Sequence, residues 1–205
     1  MKSKLKFNKD TYLFNISQIK NKLKNKKLCL VLKSDCYGFG YHNILPLIID
    51  KIDYIAILEN REAEIIRKYS KQINILRLRP ASKEEIKKGI KYQINEIIDS
   101  PEKMKLINEK FRNLPIHLSI DAGMNNIGIN INKINFNQLL QLNLKGIFTH
   151  YTSDKTYDTN FENNFYILYQ KLKKINPMLI GHNCNSKNFI KNMDNIKYDM
   201  IRIGN

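Results

Sequence analysis

The chain has 205 residues, 42% of them hydrophobic and 26% charged, which is enough for one domain with a real core and ordinary for a globular protein. No apolar run approaches a membrane span, and the basic N-terminal stretch lacks the apolar segment and small-residue cleavage site of a secretory leader, so the expectation is a cytoplasmic protein with no membrane partner. The formal net charge is +16, from 35 basic and 19 acidic residues, but lysine is spread over solvated helix faces rather than gathered in a tail, and no nucleic-acid partner is expected.

Residues 1–8 read as a strand or arm, and NKDTYLFNISQIKNKLK (8–24) as a helix ahead of the first barrel strand. LCLVLK (28–33) is the first strand, and a helix follows at 42–51. The second strand, DYIAIL (53–58), leads into ENREAEIIRKYSK (59–71), where Ala63, Ile66 and Tyr69 share one face opposite the charges. NILRLR (74–79) is the third strand; the helix after it, SKEEIKKGIKY (82–92), opens with a Ser cap and an acidic first turn. NEIID (95–99) is the fourth, and SPEKMKLINEKF (100–111) follows with Ser at the cap and Pro at the first helical position. IHLSID (116–121) and LKGIFTH (144–150) are strands five and six, FENNFYILYQKLKKI (161–175) is a helix, and MLIGHN (178–183) and DMIRIG (199–204) are strands seven and eight.

Repeated strand–helix units demand parallel strands with right-handed crossovers, and eight of them imply an α/β fold, the (β/α)8 TIM-like barrel, over residues 1–205. In such barrels chemistry sits where strands end and loops begin. Lys33 ends the first strand. It is either a strand-end lysine turned to solvent or a desolvated amine able to form a Schiff base. Cys29, Cys36 and Cys184 form no CxxC pair or Cys/His cluster, so neither a disulfide framework nor a metal site is expected, and Cys29 reads as a small buried apolar residue.

Further motifs follow Lys33 in order. VLKSDCYGFG (31–40) resembles the attachment motif for pyridoxal 5′-phosphate (PLP) of the alanine racemase family, fold-type III enzymes: an apolar strand, Lys, then Tyr-Gly-x-Gly. IDAGMNNIGI (120–129), GIFTHYTSD (146–154), HNCNSKNFI (182–190) and YDMIRIGN (198–205) are similar to the family's later segments, at the ends of strands five to eight. LRLRPASKEEI (76–86) is also similar to the broad-specificity amino-acid racemases.

The resemblance implies the family's N-terminal barrel domain, with PLP as cofactor and racemisation of L-alanine to D-alanine as the activity. It implies that Lys33 forms the aldimine and acts as base on one face of the substrate carbon. It further implies that Tyr37 and Ser186 donate to the PLP phosphate with the backbone amides of Gly204 and Asn205, that His150 stacks on the pyridine ring, and that Arg202 donates to its nitrogen. An arginine there does not give up its proton, which weakens the electron sink. Read one at a time, Tyr37 is a loop aromatic, His150 a core histidine, Ser186 a helix cap and Arg202 an ion-pair residue.

Three departures bear on activity. Asn126 stands where the family places an arginine that contacts the substrate carboxylate, so the substrate-binding candidate offers no charge and no bidentate fork. Ser119 stands where many members carry a carbamylated lysine. No residues follow the eighth-strand motif, so the family's C-terminal β-domain, whose tyrosine serves the opposite face across a homodimer, is expected to be missing and racemisation to be impaired. The alternative is a PLP-homeostasis barrel of similar length, whose lysine motif lacks Tyr-Gly-x-Gly.

Overall fold

A computed structural model describes residues 6–121, 127–150, 159–183, 186–191 and 196–204. Helix α1 (Lys9–Leu23) is capped by Asn8, whose side chain accepts from Thr11 N–H at 2.9 Å, and it buries Ile16 and Leu23. The barrel strands are β1 (Lys27–Val31), β2 (Tyr54–Ile57), β3 (Asn74–Arg77), β4 (Ile94–Ile98), β5 (Ile116–Ile120), β6 (Leu144–Thr149), β7 (Ile180–His182) and β8 (Met200–Ile203). Between them lie α2 (Lys33–Tyr37), α3 (Tyr41–Ile48), α4 (Asn60–Tyr69), α5 (Lys83–Gly89), α6 (Pro101–Lys110), α7 (Phe136–Leu139), α8 (Thr159–Ile175) and α9 (Ser186–Lys191). Residues 1–5 of the expected N-terminal arm lie outside the described residues, and residues 6–8 form no strand.

The strands are parallel and ordered β7-β6-β5-β4-β3-β2-β1-β8, so the chain winds once around a barrel. Its seam lies between β7 and β8. There Asp199 N–H donates to Gly181 O at 3.0 Å, and the Asp199 carboxylate accepts from Gly181 N–H at 2.8 Å. Lys173 and Tyr169 of α8 hold that carboxylate, each at 2.9 Å. Alternate strand residues fill the interior: Cys29, Tyr54, Ala56, Leu76, Ile97, Phe148, Ile180 and Met200. The opposite faces pack on the helices, in one cluster around α1, α3 and α4 and another around α6 and α8. Among the described residues no helix is long and apolar enough to cross a membrane.

All eight expected strands are present, and the differences lie in the connections. Tyr69 is 41% exposed instead of sharing the inner face of α4; Glu62 and Arg67 are buried beside Ala63 and Ile66. Both charged groups are satisfied where they sit. Glu62 accepts from the Leu58 and Glu59 amides, and Arg67 donates to the Tyr92, Ser70 and Ile73 carbonyls. The helix expected through residue 92 changes to a tighter 3₁₀ turn at Ile90–Tyr92.

The segment after β1 is the least ordinary part of the backbone. Ser34, Asp35, Cys36 and Tyr37 all have φ between 54° and 57°, so α2 is one left-handed turn containing no glycine. Such a run costs on the order of 1–2 kcal/mol per residue and persists only when the surroundings over-determine it. Here Glu62 accepts from Ser34 N–H at 2.7 Å, Asp35 accepts from Tyr41 N–H at 2.7 Å, and Tyr41 Oη donates to Leu32 O at 2.6 Å. Cys36 is buried, and Gly38 and Gly40, both at φ 87°, return the chain to α3.

Candidate active site

The left-handed turn places Lys33 and Tyr37 together at the C-terminal end of the barrel, with Lys33 Nζ 5.9 Å from the centre of the Tyr37 ring. Lys33 is half-buried and lies two residues beyond the last residue of β1. Tyr37 reaches across to β8: a Cβ added at Gly204 would stand 2.6 Å from Tyr37 Oη. Gly204 N–H donates to Ser186 Oγ at 3.2 Å, and that hydroxyl also lies 3.2 Å from Gly204 O. Groups from α2 and α9, the Tyr37 and Ser186 hydroxyls, therefore both lie against Gly204 at the end of β8.

Arg202 points into the same end of the barrel and is 5% exposed. Its guanidinium donates to His182 Nδ1, to His182 O at 3.3 Å and to Thr149 O at 3.1 Å, and lies 5.1 Å above the Phe148 ring. His150 follows β6 and is partly open to solvent. Desolvation of its covered surface, then the nearby cations Arg202 and Lys33, lower its pKa. The structure thus brings Lys33, Tyr37, His150, Ser186, Arg202 and Gly204 to one face. Asn126 and Asn205 lie outside the described residues. Ser119 is buried and donates to Ile127 O at 3.2 Å.

Sequence reasoning assigned no role to His117 and His182. Both are fully buried; His117 Nδ1 lies 2.7 Å from His182 Nε2, and His182 stacks on Phe148 at 4.9 Å with an interplanar angle of 6°. The signal for His117 was present as polar His117 and Ser119 alternating with Ile116, Leu118 and Ile120. A separate cavity of about 640 Å³ opens at the other end of the barrel, beside Tyr54, Asn95, Lys110, Arg112 and Lys145. None of the site residues lines it.

Comparison with known proteins identifies the family of this barrel. Residues 8–205 match the family model described as alanine racemase, N-terminal domain. An alanine racemase of Borreliella burgdorferi is 31% identical over 204 residues, covering 93% of this chain and 55% of the relative. A broad-specificity amino-acid racemase of Vibrio vulnificus is 32% identical over 124 residues, 57% of this chain and 30% of that protein. The solved alanine racemase of Clostridium difficile 630 superposes with a TM-score of 0.82 at 28% identity, covering 95% of this chain and 55% of that one. The chain spans about half the length of these alanine racemases. Its barrel belongs to the alanine racemase N-terminal domain family.

Proposed function

We propose that this chain is the cofactor-holding barrel of a PLP-dependent isomerase that interconverts L- and D-alanine in the cytoplasm and supplies D-alanine for biosynthesis. The observation that carries the reading is the convergence of the Tyr37 hydroxyl, the Ser186 hydroxyl and the Gly204 amide beside Lys33. Two hydroxyls and an amide suit a phosphate, and a Cβ at residue 204 would crowd the place where they meet, 2.6 Å from the Tyr37 hydroxyl. The Ser186 proton can turn from Gly204 O toward an anion while Gly204 N–H donates as well. When bound, PLP supplies an electron sink that acidifies the α-hydrogen of an amino acid joined to it.

This chain's residues would supply the rest. Lys33 Nζ would anchor the cofactor and take or return the proton at the substrate Cα on one face. His150 would cover a face of the pyridine ring, and Asn205 would add its amide to the phosphate. Arg202, fixed by carbonyls and His182, would donate to the pyridine nitrogen. Proton return on the other face requires a second acid/base, which a homodimer partner would bring. Asn126 would offer the substrate carboxylate one neutral hydrogen bond, where a charged one is worth about 1.5–3 kcal/mol, so turnover by this chain would fall by roughly tenfold to a hundredfold from that loss alone.

The test is borohydride reduction of the protein after incubation with PLP, followed by peptide mapping, together with a D-alanine assay. A pyridoxyl group fixed on Lys33 supports the reading, and one on another lysine, or none, ends it. Cofactor uptake with no trace of D-alanine favours the PLP-homeostasis alternative.

A further inference from the structure

The barrel interior carries a polar chain that runs downward from Arg202. We propose that His117 is a positioning residue that accepts the His182 Nε2–H, which the contact with Arg202 requires, and thereby holds His182 and Arg202 in one orientation at the cofactor end of the barrel. The tautomer assignment stands on the protein alone; its consequence for a cofactor rests on the function proposed above.

The assignment follows from donor and acceptor counting. A guanidinium donates and never accepts. His182 Nδ1 faces Arg202 Nη1, so that nitrogen must present its lone pair and the His182 proton must sit on Nε2. Nε2 lies 2.7 Å from His117 Nδ1, so this second nitrogen must accept. The His117 proton is then on Nε2, which has no partner among the described residues. With both rings neutral, any other placement sets two N–H groups, or two lone pairs, against each other. Burial, followed by the charge of Arg202, favours the neutral form of both imidazoles.

The surroundings are built for this ring. Gly146 pairs with His117 across β5 and β6, and a Cβ at Gly146 would collide with His117 Nδ1. Tyr54 closes the other side edge-on at 6.1 Å. Phe148 stacks on His182 and lies beneath Arg202, so His182 cannot tilt to find another acceptor.

Imidazole ¹⁵N NMR on the cofactor-free protein tests the assignment. The expected result is a neutral Nε2–H tautomer for both His117 and His182 across about pH 5 to pH 8. His117→Leu removes the acceptor and should abolish the downfield, hydrogen-bonded His182 Nε2–H resonance. His117→Asn, whose amide oxygen can accept in place of Nδ1, should preserve it. In a parallel PLP titration followed by absorbance, His117→Leu should bind about tenfold more weakly and His117→Asn within about twofold of wild type. A wild-type Nδ1–H tautomer at either ring, or an unchanged His182 Nε2–H resonance in a folded His117→Leu protein, overturns the proposal. If His117→Leu does not fold, the wild-type tautomers decide. If no form takes up PLP, the cofactor reading fails while the NMR result still decides the role of His117.

Discussion

Tyr37, after the first strand, and Gly204, after the neighbouring eighth strand, approach so closely that a methyl group on Gly204 would stand 2.6 Å from the Tyr37 hydroxyl oxygen. This contact makes a sharp test of the phosphate cradle. Gly204→Ala should weaken PLP binding by at least about tenfold, because the methyl displaces one hydroxyl donor and crowds the amide. The thermal midpoint should move little, since Gly204 lies at the barrel rim and is half-buried. Isothermal titration with PLP and with pyridoxal, which lacks the phosphate, checks the source: the loss should be confined to PLP.

The left-handed turn should depend on Glu62. Its carboxylate accepts from three backbone amides, Ser34 and Leu58 at 2.7 Å and Glu59 at 2.9 Å. Glu62→Ala leaves those donors without their acceptor beside a turn that is already unfavourable, and should cost about 3 kcal/mol of stability in urea unfolding. It should also release Lys33 from its position, so borohydride labelling of Lys33 should fall even in the fraction that stays folded.

The buried histidines should make the protein acid-sensitive. Burial, and then Arg202, push the His117 pKa down from 6.5 to about 3, and His182 is lowered in the same direction. Below about pH 6.5 the unfolded chain binds a proton at each ring that the folded protein refuses, so ν_U exceeds ν_N and stability rises with pH. The contribution is fully present above pH 6.5 and is lost on acidification at about 1.4 kcal/mol per pH unit for each histidine. Urea midpoints from about pH 7 to about pH 5 should fall less steeply in His117→Asn than in wild type. Equal slopes would show that His117 is protonated in the folded state.

Asp199 should act as the clasp of the barrel seam. Burial raises its pKa, but Gly181 N–H, Lys173 and Tyr169 outweigh that and hold the carboxyl below its usual value. Its stabilisation is therefore present above the unfolded pKa, near 4, and is lost as pH falls through the lower folded value. Asp199→Ala should destabilise by about 2 kcal/mol, given the group's partial exposure, and should raise hydrogen exchange at the Gly181 and Asp199 amides before that of β2 and β3.

The eight strands could be read from the sequence because each is a short apolar run bounded by polar turns, and the alternation with helical stretches leaves few topologies. The order of motifs also put Lys33, His150, Ser186 and Arg202 at strand ends, where a barrel carries its chemistry. Two features required the folded molecule. Ser34–Tyr37 contains no glycine, so nothing local announces a left-handed turn; Glu62, 28 positions from Ser34, and the buried hydroxyl of Tyr41 hold it against its own backbone preference. Likewise, IHLSI (116–120) shows a polar and an apolar face, but alternation alone does not say which is inside. Barrel closure buries both faces, turns His117 and Ser119 toward the interior, and sets His117 against Gly146 and His182 from two other strands. Composition and period determine the elements because those preferences are local; the polar chain to Arg202 is decided only when distant strands come within hydrogen-bonding distance and donors from one strand meet acceptors from another.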